Sequence, residues 1–172
     1  VNVPATSLTV GGLFVGMALP AWHISRFAFA QIKKRDAKKA LDLVPLGAGI
    51  LYGGVATATT SGLIGFATGV ITFLGNGAGS FAMWGATGGT TTLATRNNLA
   101  SLSPMGNLVL LLVSVVILGG WKALPTKAKP RMRLGIISGV LLGLSATLGG
   151  FFAAWVIPMA NTAGNALVGT IA

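Results

Sequence analysis

No Asp, Glu, Lys or Arg occurs inside four long apolar stretches of this chain, roughly residues 8–24, 46–74, 107–121 and 134–157. The third lengthens to 105–124 if Met105 and Leu124 join it. About 20 apolar residues span the hydrocarbon core of a bilayer as a helix, and a helix satisfies its own backbone groups where water is absent. The pattern therefore predicts an all-α, polytopic transmembrane bundle with four spans, forming a single membrane domain over residues 1–172. Charged residues make up 8% of the chain and hydrophobic residues 53%. A soluble domain carries about 25% charged residues. The second stretch is long enough to tilt or protrude. Between spans two and three, residues 76–104 are rich in Gly, Thr, Ser and Asn. Within them 81–94 is a candidate re-entrant segment, and this connection is the part best placed to meet an outside partner.

The cations fix an expected orientation. Arg26, Lys33, Lys34, Arg35, Lys38 and Lys39 lie between spans one and two, and Lys122, Lys127, Lys129, Arg131 and Arg133 between spans three and four. Of the 12 basic residues only Arg96 lies elsewhere, and the 2 acids are Asp36 and Asp42. Loops that keep positive charge stay cytoplasmic, so both basic loops are expected on one side, with both termini outside. Trp22 and Trp121 then fall at cytoplasmic ends of spans, and Trp84 and Trp155 near the outer side, the interfacial depths tryptophan favours. An outside N-terminus at Val1 is consistent with removal of a leader; a non-standard start read literally is the other explanation. The formal charge of +10 implies anionic lipid or nucleic acid nearby, the plain alternative being the bias of any membrane protein with cytoplasmic cations.

Small residues recur every fourth position in spans two and four: Gly49, Gly53, Thr57, Ser61, Gly65 and Gly69, then Gly135, Gly139, Gly143 and Thr147. Such a stripe lies on one helical face and lets a second helix approach closely. It serves either packing within the monomer or self-association. Span three, with LVLLLVSVVIL, is bulky and expected to face lipid. Pro20 should end or kink span one, with a juxtamembrane helix beyond it resting Trp22, Phe29 and Ile32 in the interface. The two halves, residues 1–75 and 105–172, share the plan of span, basic loop, span. Duplication and simple alternation under charge bias both explain that.

The parts for chemistry are missing. Cysteine is absent, and a single histidine, His23, has no carboxylate or thiolate positioned to complete a metal site or a catalytic triad; it reads as an interfacial residue. No Gly-rich run ends in Gly-Lys-Ser/Thr, and NGAGS at 76–80 reads as a turn. Ion-coupled transport needs a charge inside the membrane. The expectation is a non-enzyme without metal or cofactor, held in the cell membrane by lipids, anionic ones above all, and acting as a homo-oligomer or as one subunit of a larger membrane assembly.

Three functions fit: a self-assembling subunit of a membrane-derived tube, pilus or translocation conduit whose basic loops face a polyanion, nucleic acid or anionic lipid; a holin-like pore-forming protein; and a structural accessory subunit of a hetero-oligomeric membrane complex. Two apolar helices joined by a basic cytoplasmic loop, with outside termini, resemble the layout of the pilins of conjugative type IV secretion. Those have one such hairpin and this chain has two. The resemblance implies assembly into a filament, which would place the protein outside the cell.

Overall fold

A computed structural model describes residues 7–34, 37–59, 61–95 and 101–171; the side chains at 30–39 and 171 lie outside that description. The fold is helical throughout. Its elements are α1 (Val10–Lys34), a 3-10 segment (Ala37–Leu43), α2 (Val44–Ala56), α3 (Gly62–Thr87), α4 (Pro104–Gly120), α5 (Ala128–Gly143), α6 (Leu148–Phe151), a π-helical segment (Phe152–Val156) and α7 (Ile157–Ile171). Among the described residues there is no strand, only the isolated bridges Thr9–Leu93 and Thr95–Ser145.

Two helical stretches are long and apolar enough to cross a membrane, Gly62–Thr87 and Leu148–Thr170. They bury only 33% and 17% of their most apolar windows within the protein, so most of their hydrophobic surface faces outward. Leu63, Phe73 and Phe81 of the first stretch, and Val116 and Leu118 of the shorter α4, are each more than 70% exposed. A core helix of a soluble domain would bury such side chains.

The expected second span, 46–74, is two helices. Thr57 Oγ1 donates to the Gly54 carbonyl at 2.7 Å, a side-chain bond that competes with continuing the helix. Ser61 is extended and Gly62 takes φ +74°, which ends any continuity. The expected fourth span, 134–157, also breaks, where Ser145 Oγ donates to the Leu142 carbonyl at 2.6 Å. The proposed re-entrant segment 81–94 is split as well. Its first part belongs to α3, which closes at Gly88 in the left-handed region. The remainder returns over the start of α1, where Val10 N donates to Thr92 O at 2.8 Å and Ala94 N to Leu8 O at 2.7 Å. That return occupies a helix-terminal N–H lacking an intrahelical partner. Pro20 does not end α1, which runs through it to Lys34.

A repeat almost without sequence identity organises the bundle. In the first half Thr9 caps α1, its Oγ1 accepting from Gly12 N at 3.1 Å. Asn76 of α3 brackets that cap: its Oδ1 accepts from Thr9 N at 2.9 Å and from Thr9 Oγ1 at 3.1 Å. In the second half Ser103 caps α4 through Gly106 N at 3.0 Å, and Asn161 Oδ1 accepts from Ser103 N at 2.9 Å and Ser103 Oγ at 3.1 Å. Gly79 of α3 packs against Gly11, and Gly164 of α7 against Met105. A shift of 94 maps Thr9 and Gly12 onto Ser103 and Gly106, and a shift of 85 maps Asn76 and Gly79 onto Asn161 and Gly164. Each half therefore contributes the same three-part unit: a capped helix, a short apolar helix, and a third helix that clasps the cap. Asn76→Ala and Asn161→Ala should each cost about 1 kcal/mol, the usual net loss for hydrogen bonds to half-buried donors. Unfolding by SDS followed by circular dichroism measures both; one silent substitution would break the equivalence.

The units join along α2 and α5, which run parallel. Gly49 lies against Met132 and Gly135, and Gly53 against Ile136 and Gly139; reciprocally, Gly135 lies against Leu46 and Gly139 against Ile50. Equivalent residues, related by a shift of 86, thus face each other across an approximate two-fold axis parallel to both helices. A Cβ at Gly139 would stand 2.8 Å from Ile50 Cα and closer still to its carbonyl oxygen. Glycine is required there because backbone meets backbone.

Candidate functional site

The central seam absorbs much of the small-residue stripe. Gly49, Gly53, Gly135 and Gly139 form it, and Gly143 closes its far end against Gly54 and Thr57. The interruption between α2 and α3 separates Gly65 and Gly69, which are buried on α3. Ser61 and Thr147 are exposed. The single six-residue stripe expected on one helix therefore becomes two faces on two helices.

At one end of the bundle the two basic segments meet. Arg131 of α5 binds Asp42 of the 3-10 segment twice, Nη1 lying 3.3 Å from Oδ2 and donating to the Asp42 carbonyl at 3.0 Å. Beside this pair His23, Arg26 and Phe27 of α1 and Lys127 of the connection to α5 line a recess of about 490 Å³. Antiparallel packing of α1 on α5 produces this convergence, because it sets the end of one helix beside the start of the other. Arg26 and Lys127 are exposed, and Asp42 is the one carboxylate among the described lining residues. Lys122 is exposed and Lys129 half-buried. The side chains of Lys33, Lys34, Arg35, Lys38 and Lys39, like Arg96, lie outside the described residues.

Arg133 departs from the expected basic cluster. Its guanidinium lies over the Trp121 ring, 5.1 Å from the centroid, a cation–π contact. It stands at a second opening, a lateral cavity of about 860 Å³ bounded by α2, α3, α4 and α5.

The two-fold relation accounts for the width of this cavity. In α1, Pro20 has no N–H for the Gly16 carbonyl. Ser138 of α5 supplies the bond, Oγ donating to Gly16 O at 2.5 Å, and Ser138 is fully buried. Gly16 and Ser138 are both small, so α1 lies tightly on α5. The equivalent residues of the other half are Ser114, Leu110 and Tyr52. There Ser114 Oγ approaches the Leu110 carbonyl at 2.7 Å and Tyr52 Oη at 2.8 Å. Tyrosine and leucine replace serine and glycine, and the longer connection holds α4 away from α2. A second exchange enlarges the gap: Phe152 fills the space above Gly54, whereas its counterpart Ala67 lines the cavity with Val140.

Tyr52, Ser138 and Asn161 organise these sites without having stood out in the sequence; Asp42 was visible only as one of two acids, and Asn76 only within NGAGS, which is not a turn but part of α3. One signal was readable: NGAG at 76–79 recurs as NTAG at 161–164. The chain matches no family model, no curated protein and no solved structure.

Proposed function

We propose that this protein is a non-enzymatic, multi-pass membrane subunit that holds a polyanion, through phosphate groups of lipid or nucleic acid, against one basic face, and that it serves as a building block of a membrane conduit or pilus-like assembly. The observation that carries the reading is the recess in which Arg26, Lys127 and Arg131 converge from remote parts of the sequence with Asp42 as their one described counter-charge. Outward apolar helices supply the membrane anchorage, and the shared end of the two basic segments becomes the cytoplasmic face by the retention of positive charge.

Purified protein in neutral nanodiscs should bind single-stranded DNA or vesicles containing phosphatidylglycerol with a steep salt dependence. Substituting Arg26→Gln and Lys127→Gln together should lower the slope of log affinity against log salt on DNA by about 1.4, about 0.7 for each cation. An unchanged slope argues against the recess as the binding face. A second reading, an accessory subunit of a hetero-oligomeric complex, is favoured by the internal use of the glycine seam, which leaves that stripe unavailable to another copy. Filaments or large regular oligomers of the isolated protein support the first reading, and a uniform monomer the second.

A further inference from the structure

We infer that the lateral cavity holds one acyl chain of an anionic lipid from the leaflet on the basic side, with its headgroup at Arg133. This rests on the membrane-embedded reading above, but on a different site from the basic recess.

The wall is apolar along most of its length, with Leu63, Ile71, Leu111, Val115 and Leu118 among its side chains. Helix α4 lines it from Asn107 to Leu118. At 1.5 Å per residue that is about 16 Å, close to the half-thickness of a bilayer core of about 30 Å. The two ends differ. At one, Thr59 and Asn107 approach each other at 3.4 Å. At the other, Arg133 stands with Trp121, an exposed guanidinium that no carboxylate among the described residues pairs with. Arg133 lies on the turn of α5 next to Arg131, and hence towards the basic end of the bundle. A headgroup at that depth leaves its chain pointing into the apolar channel. Length, polarity and charge all suit a single chain bearing a phosphate or carboxylate. A neutral lipid lacks the contact with Arg133, and a soluble anion lacks the channel.

Trp121 reports occupancy. With Trp22, Trp84 and Trp155 changed to Phe, the protein is placed in nanodiscs containing tail-brominated phosphatidylglycerol, phosphatidylcholine or free fatty acid, and quenching of Trp121 is followed against mole fraction. Half-quenching should need about fivefold less phosphatidylglycerol than phosphatidylcholine, the preference one basic residue confers at a membrane surface. Arg133→Gln should abolish the preference, whereas Lys129→Gln, which removes a cation that lines neither this cavity nor the basic recess, should preserve it. Ala67→Phe, which installs the counterpart of Phe152, should weaken quenching by both phospholipids. If free fatty acid quenches as strongly as phosphatidylglycerol, the site reads the chain and charge together; if only phosphatidylglycerol does, it also reads the phosphodiester. Equal quenching by phosphatidylglycerol and phosphatidylcholine, or a preference that survives Arg133→Gln, overturns the inference. Because Arg133→Gln alters an exposed side chain, the test stands even if Ala67→Phe fails to fold. A chain that stays dispersed without detergent would instead overturn the membrane reading itself.

Discussion

Gly139→Leu should prevent this protein from being recovered as a folded species in mild detergent, with a loss of about 3 kcal/mol or more. Four side-chain carbons would enter a contact in which α5 lies directly on the Ile50 backbone. Overpacking in a tight core costs about 1–3 kcal/mol when side chains can shift, and here the obstructing atoms are main chain. Gly53→Leu should act alike, because Gly53 meets the Ile136 carbonyl from the other side of the approximate axis. Within lipid the association of helices draws on van der Waals contact rather than on hydrophobic exclusion from water. Separating α2 from α5 therefore forfeits the most extensive of the contacts joining the two halves. Gly47→Ala and Gly119→Ala are the matched controls, since a Cβ at either meets nothing within 4 Å. They should be neutral or slightly stabilising, as alanine restricts the unfolded chain. Size-exclusion profiles and SDS titrations distinguish the two classes. A folded Gly139→Leu protein with wild-type stability would mean that the seam is absent.

Ser138→Ala should cost about 1–2 kcal/mol, and most of that cost should vanish when Pro20 is also replaced by alanine. The Gly16 carbonyl lacks the N–H that any residue other than proline would offer from position 20, and the Ser138 hydroxyl takes its place. Truncating Ser138 alone leaves the carbonyl unpaired inside the bundle, the costly case for a hydrogen bond. In the Pro20→Ala background the helix satisfies that carbonyl itself, so the hydroxyl contributes less. A double-mutant cycle isolates the coupling, which should exceed about 0.6 kcal/mol, the average for interhelical bonds in membranes. Additive effects would show that Ser138 packs on α1 without repairing it.

These two sites mark where reading the sequence succeeded and where it failed. The four-residue spacing of Gly49, Gly53, Gly135 and Gly139 identified faces for close helix contact, but equal spacing cannot say whether the partner is the same chain or another copy. The continuation of that spacing through Thr57, Ser61 and Gly65 suggested one helix, because hydropathy ignores the hydroxyl–carbonyl bond at Thr57 and the positive φ of Gly62. Pro20 was legible as a stop or kink, yet α1 runs through it; the residue that serves the Gly16 carbonyl lies 118 positions away, at Ser138. The repeat escaped detection because the residues that preserve it are few. They are caps and glycines held by geometry, whereas the outward-facing positions between them require only an apolar side chain.

Composition and the distribution of charge determined that this chain is helical, is rich in apolar surface, and carries its cations in two clusters. Solvation accounts for this: ions are excluded from hydrocarbon, and a backbone without water must pair with itself. Only the tertiary structure brought Arg26 beside Lys127 and Arg131, with Asp42 bonded to Arg131. It alone showed that the glycine stripes close upon each other, and that Tyr52 and Ala67 open on one side a cavity that Ser138 and Phe152 close on the other. Those outcomes depend on which side chains meet across the approximate two-fold axis, and residues distant along the chain meet there by packing alone.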